Sequence, residues 1–168
     1  MRLHFKTGAF GLAAVAALAL GSPANAQSKE SPLLALGGSW SGQGSINFND
    51  GTKERIRCRS NYTPDGAGAK LKLELRCASD SYKFDLQGNV THNAGAVSGT
   101  WAELTHRVGG TITGSANANR VSVRVEGTIA AMLAVTTKGN QQQISIESPG
   151  SEMSEVAISM NRAVSASR

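Results

Sequence analysis

Residues 53–60 read KERIRCRS, and four cations (Lys53, Arg55, Arg57 and Arg59) fall on every second position. Glu54, Ile56, Cys58 and Ser60 fill the positions between them. A period of two sends the two sets to opposite faces of a β-strand. One face then offers an anion a row of guanidinium groups, while the other keeps a thiol. The second cysteine, Cys77, lies in 70–78, where Leu71, Leu73, Leu75 and Cys77 alternate with Lys72, Glu74 and Arg76. If Cys58 and Cys77 bond across neighbouring antiparallel strands, Tyr62 faces Leu73 and Arg59 faces Arg76. The bond would pin the register of a hairpin with a long loop. Two like charges directly opposite cost a sheet on the order of a few tenths of a kcal/mol. The face made by Arg55, Arg57, Arg59, Lys72 and Arg76 has two readings. The ordinary one is a solvated surface that discourages aggregation. The other is an anion-binding patch.

Other chemistry is sparse. Past the leader described below, the only histidines are His92 and His106, both at expected turns, and no G-x-S-x-G surrounds a serine. No HExxH is present, and Asn47-Phe48-Asn49-Asp50-Gly51 lacks the spaced acids of a calcium loop. Neither cysteine belongs to a C-x-x-C, so a disulfide is the better reading than a metal pair. No catalytic group, metal or cofactor is expected. Glu103 shares phase with Val97, Gly99 and Trp101. If Trp101 points inward, Glu103 does too, near a strand end. The pair Trp101 and Glu103 are the candidates for a ligand mouth, with a salt bridge from Glu103 to Arg107 as the plainer role.

The elements that must position these residues are strands. Trp40, Gly42, Gly44, Ile46 and Phe48 share one face; Tyr82, Phe84 and Leu86 share another. Alternation continues through segments near 97–104, 111–116, 121–125, 129–135, 143–147 and 155–162. Asn-, Gly- and Pro-rich turns separate them. No segment has a helical period. The fold class is all-β: an antiparallel up-and-down β-barrel of about 8–10 short strands.

The chain has 168 residues and a formal charge of +5. Residues 1–26 read as a cleaved signal peptide: Arg2 and Lys6, then an apolar run from Phe10 to Leu20, then Ala24-Asn25-Ala26. That implies export, to the periplasm or beyond the cell, where a disulfide can persist. It leaves a net charge of +3, too mild to demand a nucleic-acid partner. The rest divides into a linker (27–36), one barrel domain (37–162) and a flexible tail (163–168). No transmembrane segment is expected in the mature chain, and its six aromatics are too few for the girdles of a membrane barrel.

Gly38-Ser39-Trp40 at the head of the first strand, with Arg162 near the end of the last, resembles the calycin group of lipocalin- and avidin-type barrels. The resemblance implies that Trp40 packs under Arg162 and closes the barrel, and that a ligand mouth exists. It names no ligand, and the chain's size suits eight strands. Gly99-Thr100-Trp101 echoes the first motif. The expected function is a non-catalytic exported binding module. It would hold a small ligand at the mouth, or an anionic envelope polysaccharide or lipid headgroup on the basic face. The alternative is a periplasmic interaction protein such as a protease inhibitor or assembly factor.

Overall fold

Ten strands close into one antiparallel barrel: β1 (Gly38–Phe48), β2 (Lys53–Pro64), β3 (Lys70–Ala78), β4 (Lys83–Asn93), β5 (Ala96–Glu103), β6 (Val108–Asn117), β7 (Arg120–Gly127), β8 (Ala131–Lys138), β9 (Gln141–Glu147) and β10 (Met153–Arg162). Each strand pairs with its sequence neighbours, and β10 returns to β1, so the topology is up-and-down with no free edge. The computed structural model describes residues 30–163. The segment 1–26, expected to be a signal peptide, and residues 164–168 of the expected tail lie outside them. The count of ten falls within the expected 8–10 strands.

Alternation builds the wall. Along β2, Ile56, Cys58, Ser60 and Tyr62 are buried while Arg55, Arg57, Arg59 and Asn61 are exposed. Cys58 is bonded to Cys77, and the pairing of β2 with β3 sets Tyr62 against Leu73 and Arg59 against Arg76. A disulfide is compatible with export. Glycines sit where neighbouring backbones approach most closely. At Gly42 and Gly44 in β1, a Cβ would lie 2.0 Å from Ser159 O and 1.9 Å from Ala157 O of β10. At Gly110 in β6, it would lie 1.7 Å from Glu126 O of β7. No side chain fits where two backbones approach this closely.

One expectation needs correction. Residues 27–36, read as a linker, enter the core at their C-terminal end. Leu34–Leu36 forms a 3-10 turn, and Leu33 and Leu36 are 0% and 4% exposed. The apolar Leu33-Leu34-Ala35-Leu36 run is short but buries well because it drops into one end of the barrel. Among the described residues, no helix is long and apolar enough to cross a membrane, which says nothing of a β-barrel.

Candidate functional site

The two ends of the barrel differ, and the difference creates the site. At one end the segment 31–37 forms a plug. The Trp40 indole N–H donates to Leu36 O at 2.8 Å, and the Arg162 guanidinium carbon lies 4.2 Å from the centre of the Trp40 ring. Arg162 also donates to Gly37 O and to Ala35 O. Ser31 Oγ donates to Gly68 O at 2.6 Å, tying the plug to the β2–β3 loop. Beneath it, the Tyr62 hydroxyl donates to Gln142 Oε1 at 3.1 Å, and Gln142 Nε2 donates to Thr137 Oγ1 at 3.2 Å. Gln142 is 0% exposed, so this chain satisfies polar groups that would otherwise be costly to bury. Burial pushes the Tyr62 phenol up to about 12, so it stays a neutral donor.

Between the plug and the far end lies a cavity of about 340 Å³. Its wall is almost entirely apolar, including Leu75, Phe84, Val97, Trp101, Val123 and Leu133. Leu36 and Tyr62 form the floor, and Tyr82, His106, Ile129 and Glu152 stand at the rim. The rim comes from the loops that follow β3, β5, β7 and β9. Tyr82 stacks on His106 with ring centroids 5.3 Å apart, and it meets Phe48 and Phe84 edge-on. Partial burial, then the nearby Glu103 and Glu152 carboxylates, raise the Tyr82 phenol above its ordinary value. Ile129 and Leu104, on the rim loops, remain 39% and 48% exposed.

Glu103 is buried at this rim, and its partner is not Arg107. Oε1 accepts from the backbone N–H groups of Asp85 and Thr105 at 2.7 and 3.0 Å. Oε2 accepts from the His106 backbone N–H at 2.6 Å and lies 2.7 Å from His106 Nδ1. Burial alone would raise this carboxyl. The three backbone donors and the His106 ring outweigh it and pull the group down to about 2. Sequence spacing favoured Arg107 on charge, but the turn reverses the chain there, with Arg107 itself at φ 56°. Glu103 therefore clamps a strained turn, and all its lone pairs are spent. Trp101 is 5% exposed and lines the cavity, its indole N–H 3.3 Å from Glu126 O.

Among the described residues, His92 and His106 form no nucleophile–base pair. His92 Nε2 accepts from the Gly95 N–H at 3.2 Å, which puts the ring proton on Nδ1, facing Ser31 Oγ at 3.2 Å. The ring donates to that serine and cannot take its proton. Near His106 the acid is present, but no serine lies within hydrogen-bond reach among the described residues. No cluster of three or more metal-ligating side chains occurs among them.

The basic residues lie elsewhere. Arg55, Arg57, Arg59, Lys72 and Arg76 all face outward on β2 and β3, away from the cavity. Arg76 is paired with Asp85 at 2.9 Å. Three residues that sequence reasoning passed over matter to the site. Tyr82 and His106 make the rim stack, and Leu36 makes the floor. Tyr82 carried a signal, since it is in phase with Phe84 and Leu86; the loop partner of its ring carried none.

No family model matches this sequence, and no curated protein matches it. Among solved structures, it resembles Rv2717c from M. tuberculosis, with a TM-score of 0.57 at 13% identity, over 81% of this chain and 100% of that one. At that identity the likeness is one of fold: a closed antiparallel barrel.

Proposed function

We propose that this protein is an exported, non-catalytic carrier that holds a small apolar ligand inside the barrel. The single observation behind this reading is the apolar cavity of about 340 Å³, open at one end and plugged at the other. Ligand pockets run from roughly 300 to 1,000 Å³ and are mostly apolar with a few placed polar groups. An apolar interior of this size that opens at one end has the shape of a ligand site rather than of a filled core. With Glu103 fully occupied, the polar groups left at the rim are Tyr82, His106, Ser151 and Glu152, and no Lys or Arg lines the cavity. A ligand with a neutral or donating head suits this rim better than a fatty-acid anion. The stack of Trp40 under Arg162 supports grouping the chain with calycin-type barrels.

Titration with N-phenyl-1-naphthylamine, a neutral apolar fluorophore, tests this. The expected result is saturable binding at one site, with Leu133→Trp, which fills the cavity from β8, weakening it about tenfold or more. Absence of saturable binding, or equal binding by wild type and variant, would overturn the carrier reading.

A further inference from the structure

The outer surface of β10, β1, β2 and β3 is a second, independent feature. It is a shallow concavity of about 1110 Å³, lined by Arg57, Arg59, Arg76, Gln43, Asn61 and Asn161 among others. We propose that this face binds an acidic polysaccharide.

The charge on this face is unbalanced: Arg57, Arg59 and Arg76 line the concavity against one carboxylate, Glu74. Arg55, Arg57 and Arg59 are exposed, and none has a carboxylate within salt-bridge distance among the described residues. Only Arg76 is neutralised, by Asp85. Arg59 stands directly opposite Arg76, a pairing a sheet disfavours. The hairpin cannot slip to relieve it, because Cys58 and Cys77 are bonded immediately behind, one residue away on each strand. The disulfide thus fixes Arg59 beside Arg76, and with Arg76 already paired to Asp85 it is Arg59, with Arg57 on the same face, that is left to receive an anion.

The spacing and the floor specify the partner. Strands rise about 3.3 Å per residue, so successive arginines on β2 recur roughly every 7 Å, a spacing that suits charges strung along an extended polymer. On the β1 and β10 side the lining presents hydroxyls and amides, while Glu74 lies on the β3 side. Ser39, Ser41 and Gln43 of β1 lie between the arginines and Ser159 and Asn161 of β10. These groups match sugar hydroxyls. A membrane surface asks instead for apolar anchors beside the cations, and the large exposed apolar residues Leu104, Ile129 and Met132 are absent from this concavity.

Calorimetric titration with polygalacturonate, uncharged dextran and phosphatidylglycerol vesicles tests the proposal. Polygalacturonate should bind and dextran should not, and rising salt should weaken the binding. Arg57→Gln with Arg59→Gln should weaken it about tenfold or more, since two charge-assisted contacts are lost. Arg59→Gln alone should act in the same direction. Arg124→Gln with Lys138→Gln removes the same charge from the opposite wall, β7–β8, and should change affinity less than about twofold. Thermal unfolding of each variant separates lost binding from lost fold. No binding of polygalacturonate, equal losses in the two double variants, or binding to vesicles alone would each overturn the proposal. The cavity reading stands or falls separately, because the fluorophore and the polymer use opposite faces of the wall.

Discussion

At the plugged end, Trp40 is 1% exposed, its N–H is taken by Leu36 and its ring lies beneath Arg162. At the rim, Tyr82 is stacked on an exposed His106, and Ile129 and Leu104 face solvent. Both ends are built from the same alternating strands, and each receives a tryptophan after a glycine-rich start. The residues outside the strands make the difference. A seven-residue plug supplies carbonyls for Trp40 and Arg162 to bind and leucines to fill the barrel. At the rim, the 104–107 loop donates its backbone N–H groups to Glu103 at the end of β5, which orders the turn without covering the opening. The two G-x-W units are therefore not equivalent. Trp40 seals an end through its partners, whereas Trp101 lines the cavity farther along its strand.

The largest effect should follow from breaking the sealed end. Trp40→Ala removes a fully buried aromatic, strands the Leu36 carbonyl and leaves Arg162 nothing to cover. Such truncations cost about 3–5 kcal/mol. Urea unfolding should show a midpoint lowered accordingly, with the slope unchanged if the barrel still unfolds in one step. A loss below about 1 kcal/mol would mean that the plug is ornamental and that the two ends do not differ in the way described.

The strand faces, the Cys58–Cys77 register and the up-and-down barrel were all legible in the sequence, because each follows from a period of two and one covalent bond. The plug was not. Leu33 and Leu36 obey no strand period, and a four-residue apolar run beside Ser31-Pro32 reads locally as a connection; only the open end of a barrel makes it core. The cavity was equally hidden. Alternation tells which side chains point inward, yet whether they meet across the interior depends on strand number. With ten strands the ring is wider than an eight-stranded one, whose interior side chains just fill, and half-buried Leu73, Leu86 and Leu133 are left facing space. For Glu103, phase placed it inward correctly, but its partners are backbone groups that no sequence spacing names.

A middle-sized effect should come from the clamp. The folded-state carboxyl of Glu103 titrates at about 2 against an ordinary 4.5. A depressed value means that Glu103 stabilises the fold fully above pH 4.5, and that this stability is lost as pH falls towards and through 2. Glu103→Gln turns one acceptor oxygen into a donor facing the His106 N–H groups. It should cost about 1–2 kcal/mol near neutral pH, the scale of hydrogen bonds to a charged group. It should also flatten the acid limb of the stability profile, which wild type should show in urea titrations between pH 5 and pH 2. An unchanged acid limb in the variant would assign the pH dependence to other carboxylates and leave the rim loop held by contacts other than this one.

The smallest effect on stability should be the most informative about the opening. Ile129 is 39% exposed and lines the cavity at its mouth. Ile129→Ser should change stability by no more than about 0.5 kcal/mol, as surface substitutions do. Leu36→Ser, its counterpart at the plugged end, removes a core leucine and leaves a buried hydroxyl, at about 2–5 kcal/mol. Fluorophore binding should invert that order of importance per unit of stability lost. Ile129→Ser should weaken the probe a few-fold while the fold is untouched, because it takes away about one buried aliphatic contact, worth roughly 1 kcal/mol. If Ile129→Ser leaves binding unchanged while milder changes near the plug abolish it, the ligand enters or rests at the other end, and the assignment of door and floor must be exchanged.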